Sequence, residues 1–470
     1  MRLTRRQLLG SAGAAALTAA GAYELVDRLT SAPERPPARS LPPEQHLLDG
    51  TALVVDNGVE VVVPPLHHRM VTAELNVEAR VSDLRDAQGA LDETLRKLER
   101  RFPATPAGLG VTVAWGLPYF RRYVPRLADR YLPLDRRASR EKLKPVRALV
   151  DAIRFPSDPR ETILERNDVA ILLRSDVLAH LDEAADALFE DLDLFKSTSI
   201  RKGFAGGGFA GGKSLPKRMA VAAGVPGADL IPDRAELFLG FTSTQKAGLG
   251  PPRIANLETL GLTDGGRDGY FRQGTHMHLS HIAEDLEAWY INFDFGERVA
   301  TAFRPGLNVA DGTMTVRQDA KDAASAADNE SDYRRRERIG HSASIQTASR
   351  LQADVVGSDG TRYTKGTAIP HRADFNTLDN PFSWSATPER DGMSSDPAAG
   401  VHFVVFNPTS DDFHRNRLAM DGVLPDGTRL EFTPRARGQG FNSVLRTTHR
   451  QNFLVPPRRH RSFPLVELIA

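Results

Sequence analysis

The alternation of strand-like and helix-like segments through the first half of the chain constrains its fold most. Arg69 to Val77 alternates as a strand. A helix follows, with Leu84, Leu91, Leu95, Leu98 and Phe102 recurring at spacings of three, four and seven, and with Ser82 placed to cap it. Gly110–Gly116 is a second strand, running into Leu117-Pro118-Tyr119-Phe120. Asp168–Leu173 is a third, leading through Asp176 to a helix that carries Leu181, Ala184, Leu188 and Leu192. The order β-α-β…β-α is that of a ferredoxin-like unit, so the expected class is α+β, with antiparallel sheets covered by helices. Ahead of it, Leu53–Val63 reads as a hairpin turned by Asn57-Gly58.

At 470 residues the chain can bury a sizeable core and exceeds one average domain. Lys and Arg number 61 against 60 Asp and Glu, and no segment concentrates base, so no nucleic-acid partner is expected. Cysteine is absent, which excludes thiolate metal sites, iron–sulfur clusters, disulfides and a cysteine nucleophile. A metal has to be held by His, Asp, Glu or a porphyrin.

Thr4-Arg5-Arg6-Gln7-Leu8-Leu9-Gly10 precedes an Ala/Gly-rich apolar run that ends near Tyr23. Paired arginines before a mildly apolar segment form a twin-arginine export signal, assigned to residues 1–30. The expected partner is the twin-arginine export machinery, and the expected location lies beyond the cytoplasm: secreted, periplasmic or at the cell surface. Cleavage near Ala19–Ala22 is expected, with membrane retention through an uncleaved signal left open. The Pro-rich stretch that follows reads as a linker over residues 31–45. The remaining divisions are residues 46–200, a Gly-rich connection at 201–234, and residues 235–470.

That connection repeats Gly203-Phe204-Ala205-Gly206-Gly207 as Gly208-Phe209-Ala210-Gly211-Gly212 before Lys213-Ser214. Gly207 to Ser214 spells a phosphate-loop pattern, but Phe195–Lys202 is too polar to read as the buried strand that such a loop needs. Further on, Ala235–Phe241 reads as a short strand. Thr275–Ile282 reads as another, with His276 and His278 on one face and His281 on the other. A His-x-His pair suits zinc or non-haem iron, yet no third ligand stands nearby. Asp319–Arg338 is charged and aperiodic and reads as a surface loop, Leu351–Thr364 as an inserted hairpin, and the basic tail from Arg446 to Arg459 as a surface wrap.

Gly340-His341-Ser342 and His371-Arg372-Ala373-Asp374-Phe375-Asn376 are the remaining chemical signal. They offer an imidazole for a metal and a permanent cation with polar neighbours. On their own the same residues read more simply as a turn cap at His341 and a surface ion pair at Arg372. Val401–Asn407 is a buried strand followed by Asp411-Asp412-Phe413 and a helix.

Taken in order, these segments resemble the dye-decolorising peroxidases. The matching parts are the strand Val111–Gly116 with Leu-Pro-Tyr-Phe, the strand Val169–Leu173 with its helix, the strand Thr275–Ile282 before a helix with Trp289, and the last strand Val401–Asn407 with Asp411-Asp412-Phe413 and the helix after it. The resemblance is remote and spans Met70 to Met420. It implies two ferredoxin-like halves and a haem b cofactor whose iron is held by His341 as the metal ligand. It further implies catalysis by Arg372, Asp374 and Asn376, a cofactor pocket including Phe204, Gly206, Phe403 and Asp411, and a role for Asp411 or Asp412 behind the histidine. Hydrogen peroxide and an unknown reductant would be the substrates; self-association is left open. The family's distal loop carries a catalytic aspartate where this chain has Gly206 or Gly211. That departure puts efficient peroxide turnover in doubt. A haem-handling protein with little turnover, or a cofactor-free secreted binding protein on the same scaffold, are the alternatives.

Overall fold

The computed structural model describes residues 19–30, 35, 41–379 and 396–469. Arg5 and Arg6, and most of the Pro-rich stretch, lie outside them. In chain order the elements that matter are helix α1 (Ala19–Leu29), the hairpin β1 (Ala52–Asp56) and β2 (Val59–Val63), then β3 (His67–Leu75), α2 (Val81–Arg101), β4 (Gly110–Gly116), the short β5 (Ile163–Leu164), β6 (Val169–Ser175), α3 (Leu178–Ala185) and β7 (Phe195–Phe204). There follow α4 (Leu215–Ala223), β8 (Thr275–Glu284), α5 (Leu286–Asn292), α6 (Phe295–Ala302), α7 (Ala326–Arg336) and α8 (His341–Ser349). The two-residue strands β9 (Val355–Val356), β10 (Arg362–Tyr363) and β11 (His371–Arg372) precede β12 (Phe375–Thr377), β13 (Gly400–Asn407), α9 (Ser410–Met420) and β14 (Leu445–Val455).

The first four long strands lie antiparallel in the order β7-β3-β6-β4, the ferredoxin-like arrangement. The later strands repeat it as β12-β13-β8-β14. β14 joins β4 through Phe453–Gly116 and Leu454–Trp115, and β12 joins β7 through Asn376–Phe204. The two α+β halves thereby close into one ring of strands, with β5 beside β14 and β11 beside β13. Closure removes the exposed edges that an open sheet would leave.

Strand alternation then sorts the side chains. Met70, Ala114, Leu172, Met277, Leu279, Phe375, Val404, Phe406 and Phe453 fill the barrel. On the outer face of the first half, Leu84, Leu91, Leu95 and Leu98 of α2 pack on Val111, Val113, Ile171 and Leu173. On the second half, a separate outer layer gathers Phe204, Met219, Phe238, Trp289 and Val299. Asn57 and Gly58 both take positive φ, 49° and 73°, as a two-residue hairpin turn requires.

Five local expectations are corrected. Helix α2 starts at Val81 after Arg80, without a side-chain cap, so Ser82 lies inside its first turn. Ala235–Phe241 is a series of turns, and β7 is a strand despite its polar sequence because β3 and β12 pair with it. The stretch Asp319–Arg338 contains α7, closed by a capping box between Ser325 and Asp328. Its buried face carries Asn329 and Asp332, the latter 2.6 Å from Arg304, so no apolar period betrays it. The basic tail supplies β14 to the middle of the ring, where Arg450 is buried and pairs with Asp158 at 2.8 Å.

The N-terminal region also departs from a plain leader and linker. Tyr23 and Val26 of α1 are buried, and the Tyr23 hydroxyl donates to Asp379 at 2.8 Å. Arg35, within the Pro-rich stretch, pairs with buried Asp176 at 2.8 Å. Glu44, Gln45 and His46 are buried as well, so the fold begins before residue 46. Among the described residues no helix is long and apolar enough to cross a membrane.

Candidate functional site

His341 is the first residue of α8. The preceding Gly340 lets the helix start against α6: a Cβ there would lie 2.1 Å from the Phe303 carbonyl oxygen. That same carbonyl accepts from the Ala343 amide at 3.0 Å, which pins the first turn. The imidazole packs on Phe441, ring centroids 4.9 Å apart, and its Nδ1 is buried with no partner among the described residues. Burial, aided by the positive charges of Arg372 and Arg417, pulls its pKa down to about 4. The ring is therefore neutral at pH 7, with a lone pair free for a metal.

Among the described residues, Asp411 and Asp412 are bonded to groups other than this histidine. Asp412 closes a capping box with Thr409 at the start of α9 and takes Arg137 at 2.8 Å. Asp411 pairs with Arg415 at 2.6 Å. Both carboxylates answer the helix N-terminus and nearby arginines, as acidic residues in a first helical turn do. Phe403 is half-buried beside Phe413, centroids 6.1 Å apart, on this same side of the sheet.

Arg372 and Asp374 reach the site from β11 and the residues after it. The Arg372 guanidinium donates through Nη2 to the Ser243 carbonyl, and its Nε is buried without a partner among the described residues. Asn376 donates through Nδ2 to the Glu236 carbonyl at 3.3 Å. These contacts converge on Glu236, which the sequence reading missed. Glu236 is 2% exposed; its carboxylate accepts from the Ser243 amide at 2.7 Å and the Thr244 hydroxyl at 3.2 Å. Burial first, and then the Asp374 charge, push its pKa up to about 7 against the opposing pull of these hydrogen bonds and of Arg372. The only hint was one acidic residue inside the apolar run Ala235-Glu236-Leu237-Phe238-Leu239.

Phe204 is fully buried in the outer layer, its ring 6.1 Å from Phe238, and it is the register partner of Asn376. Gly206 follows with φ 85°, in the left-handed region that suits glycine. The Gly-rich loop then passes the segment leading into Glu236, since a Cβ on Gly208 would lie 2.5 Å from the Arg234 carbonyl oxygen. Strand β7 and helix α4 flank this loop, although Phe195–Lys202 did not read as a strand, and half of the amides from Gly207 to Ser214 are bonded within the protein. Gly208, Gly212 and Ser214 donate to the carbonyls of Lys213, Phe209 and Asp233.

His276 and His278 are buried. His276 Nδ1 lies 2.9 Å from the Pro408 carbonyl, and His278 sits 2.7 Å from Asn452 and stacks on Phe413. Among the described residues, no three His, Asp or Glu side chains are grouped to hold a metal ion. A surface cavity of about 520 Å³ lies elsewhere, lined by Asp56, Asp233, Arg234, Arg298, Asp311 and Thr315.

No curated protein matches the sequence. Among solved structures, the chain is similar to the DyP-type peroxidase from Cellulomonas bogoriensis, at 17% identity and a TM-score of 0.49 over 89% of this chain and 96% of that one. The encapsulated DyP-type peroxidase from Mycobacterium smegmatis aligns at 13% identity and TM-score 0.47, covering 85% and 95%. The dye-decolorizing peroxidase from Bacteroides thetaiotaomicron aligns at 13% and 0.47, covering 87% and 98%. A family model described as a family of unknown function, DUF7405, matches residues 65–457, and the chain belongs to that family.

Proposed function

We propose that this chain is an exported haem protein that reacts with peroxide, with His341 as the iron ligand and Arg372 and Glu236 as the working polar groups. The residues fit the cofactor in two respects. A neutral imidazole is fixed at a helix start, and the Arg372 charge lies close enough to act on it. They differ in that Asp411 and Asp412 are engaged by Arg415 and Arg137. Haem, when bound, would supply the redox chemistry with peroxide.

The single observation that carries the reading is a buried carboxyl, Glu236, held by the Ser243 amide and the Thr244 hydroxyl, with the Arg372 guanidinium bonded to the Ser243 carbonyl beside it. Splitting peroxide needs a proton moved between its oxygens and charge stabilised on the oxygen that leaves. Arg372, permanently protonated, supplies the charge but is a poor base. Glu236, whose pKa is about 7, can take a proton on its carboxylate oxygens and return it. It thus fills the role for which Gly206 and Gly211 have no side chain. Asp374 keeps the Glu236 proton affinity high, since a nearby negative charge opposes ionisation.

Stopped-flow mixing of the haem-loaded protein with hydrogen peroxide tests this. Glu236→Gln and Arg372→Leu should each slow the reaction by roughly 10²–10⁴-fold, the usual contribution of a positioned acid–base or charge-stabilising group. Unchanged rates in both would sink the reading. The haem-handling alternative predicts a slow wild type that neither change slows further.

Export rests on Arg5-Arg6 ahead of a weakly apolar run. Arg5→Lys with Arg6→Lys should leave the protein in the cytoplasmic fraction. Export of the double variant at the wild-type level would overturn that part.

A further inference from the structure

At one end of the barrel interior, opposite in sheet face to Arg372, lies a group of nitrogen-bearing side chains that the proposed chemistry does not use. Strand alternation puts His68 of β3 and Arg174 of β6 on the inner face, as direct register partners. His371 of β11 is the register partner of Phe406, another interior residue. His46, from the segment that covers this end, completes the group. Its ring centroid is 5.7 Å from that of His371 and 5.0 Å from that of Phe406.

His46, His68 and Arg174 are 1%, 2% and 4% exposed. Both ring nitrogens of His46, both of His68, Nδ1 of His371 and Nε of Arg174 are buried and bond to no described group. Arg174 spends one N–H on the His46 carbonyl at 2.8 Å, a neutral acceptor. No carboxylate is among the groups that shift His46, His68, Arg174 or His371; the charges acting on the three imidazoles are those of His371, of the neighbouring His67, and of Arg174 and Arg372. Orphaned buried polar groups are uncommon, and a buried cation without a counter-charge is costly. Here both occur in one place.

We propose that this end of the barrel binds one small monovalent anion, halide- or formate-sized, through Arg174 and the N–H groups of His46, His68 and His371. The charge follows from the single cation. Three imidazoles held neutral by burial contribute one N–H donor each, and Arg174 remains protonated although burial lowers its pKa to about 10. The size follows from the packing. His68 stacks on Phe375 at 4.9 Å, and Gly203, which faces this layer from β7, has no room for a side chain: a Cβ there would lie 2.4 Å from Phe375 Cδ2. The site is also roofed. Gln45 accepts from the Val113 amide at 2.9 Å and donates to the Pro456 carbonyl at 2.7 Å, which fastens the covering segment over the barrel end.

The inference is independent of haem and of His341. Its test uses the full chain exchanged into sodium gluconate, a bulky monoanion, with bromide or formate replacing gluconate at constant ionic strength. The melting temperature of the wild type should rise with the logarithm of bromide or formate concentration, as ligand linkage requires. In Arg174→Gln, which keeps an amide donor but no charge, apparent affinity should fall by about tenfold or more. A wild type indifferent to either anion, or a variant that responds as strongly as the wild type, overturns the proposal. Crystals of the wild type grown in bromide decide the matter if the variant does not fold. An anomalous peak among Arg174, His46 and His68 is expected, and none there at saturating bromide refutes the site.

Discussion

At the scale of the residue, Glu236 shows how a buried acid couples site and stability. Its folded-state pKa is raised from 4.5 to about 7, so the folded chain keeps a proton that the unfolded chain releases. Its contribution to stability is therefore full below the ordinary carboxyl range and is lost as pH rises from 4.5 to about 7. The shift corresponds to roughly 3 kcal/mol. Asp379, raised by burial to about 6, tilts the curve the same way, so a variant is needed to isolate Glu236. Glu236→Gln should be more stable than wild type at pH 8 by an amount in that range and nearly equal to it at pH 4.5, measured by denaturant unfolding. Equal stability of the two proteins at both pH values would show that Glu236 ionises freely. His341, Arg372, Asp374 and Asn376 stand out in the sequence by residue type and local order. Glu236 was not, because nothing local distinguishes a catalytic acid from a solvated one. Its meaning comes from the Ser243–Thr244 turn folding back over it.

At the scale of the element, α1 belongs to the fold. Val26 is fully buried, the Tyr23 hydroxyl reaches Asp379 and lies 3.0 Å from Thr377, and Asp27 meets His67 at 2.6 Å. A sequence pattern of export signal and linker could not disclose this, since the partners are some forty to several hundred positions away. Helix α7 escaped notice for a different reason: its buried face is polar, and periodicity arguments see only apolar faces. Strand β7 was masked by polar residues that are paired on both sides. Val26→Asp would put an unpaired carboxylate into the layer beneath α1, at a cost best avoided by detaching the helix. Hydrogen exchange should then show loss of protection across Ala19–Leu29 while β3 and β6 keep theirs. Undiminished protection of the helix would mean that its docking contributes little.

At the scale of the whole molecule, the β-α-β order announced one ferredoxin-like half, and the repeat of its strand order makes the second. What the sequence could not convey is closure. The joins at Phe453–Gly116 and Asn376–Phe204 depend on which strands end up at the two edges, and no local pattern records that. Closure makes an inside and an outside from adjacent residues: His371 faces the barrel with Phe406, while Arg372 points the other way to Ser243. We propose that the outer site holds haem through His341. Titration of haem into the purified full chain, followed by its visible absorption band, tests it most directly. The wild type, His276→Ala and His278→Ala should each bind one equivalent with the same spectrum, and His341→Ala should lose the band or change its ligand-field features. Identical spectra and affinities for wild type and His341→Ala, or no binding by the wild type, would contradict the account.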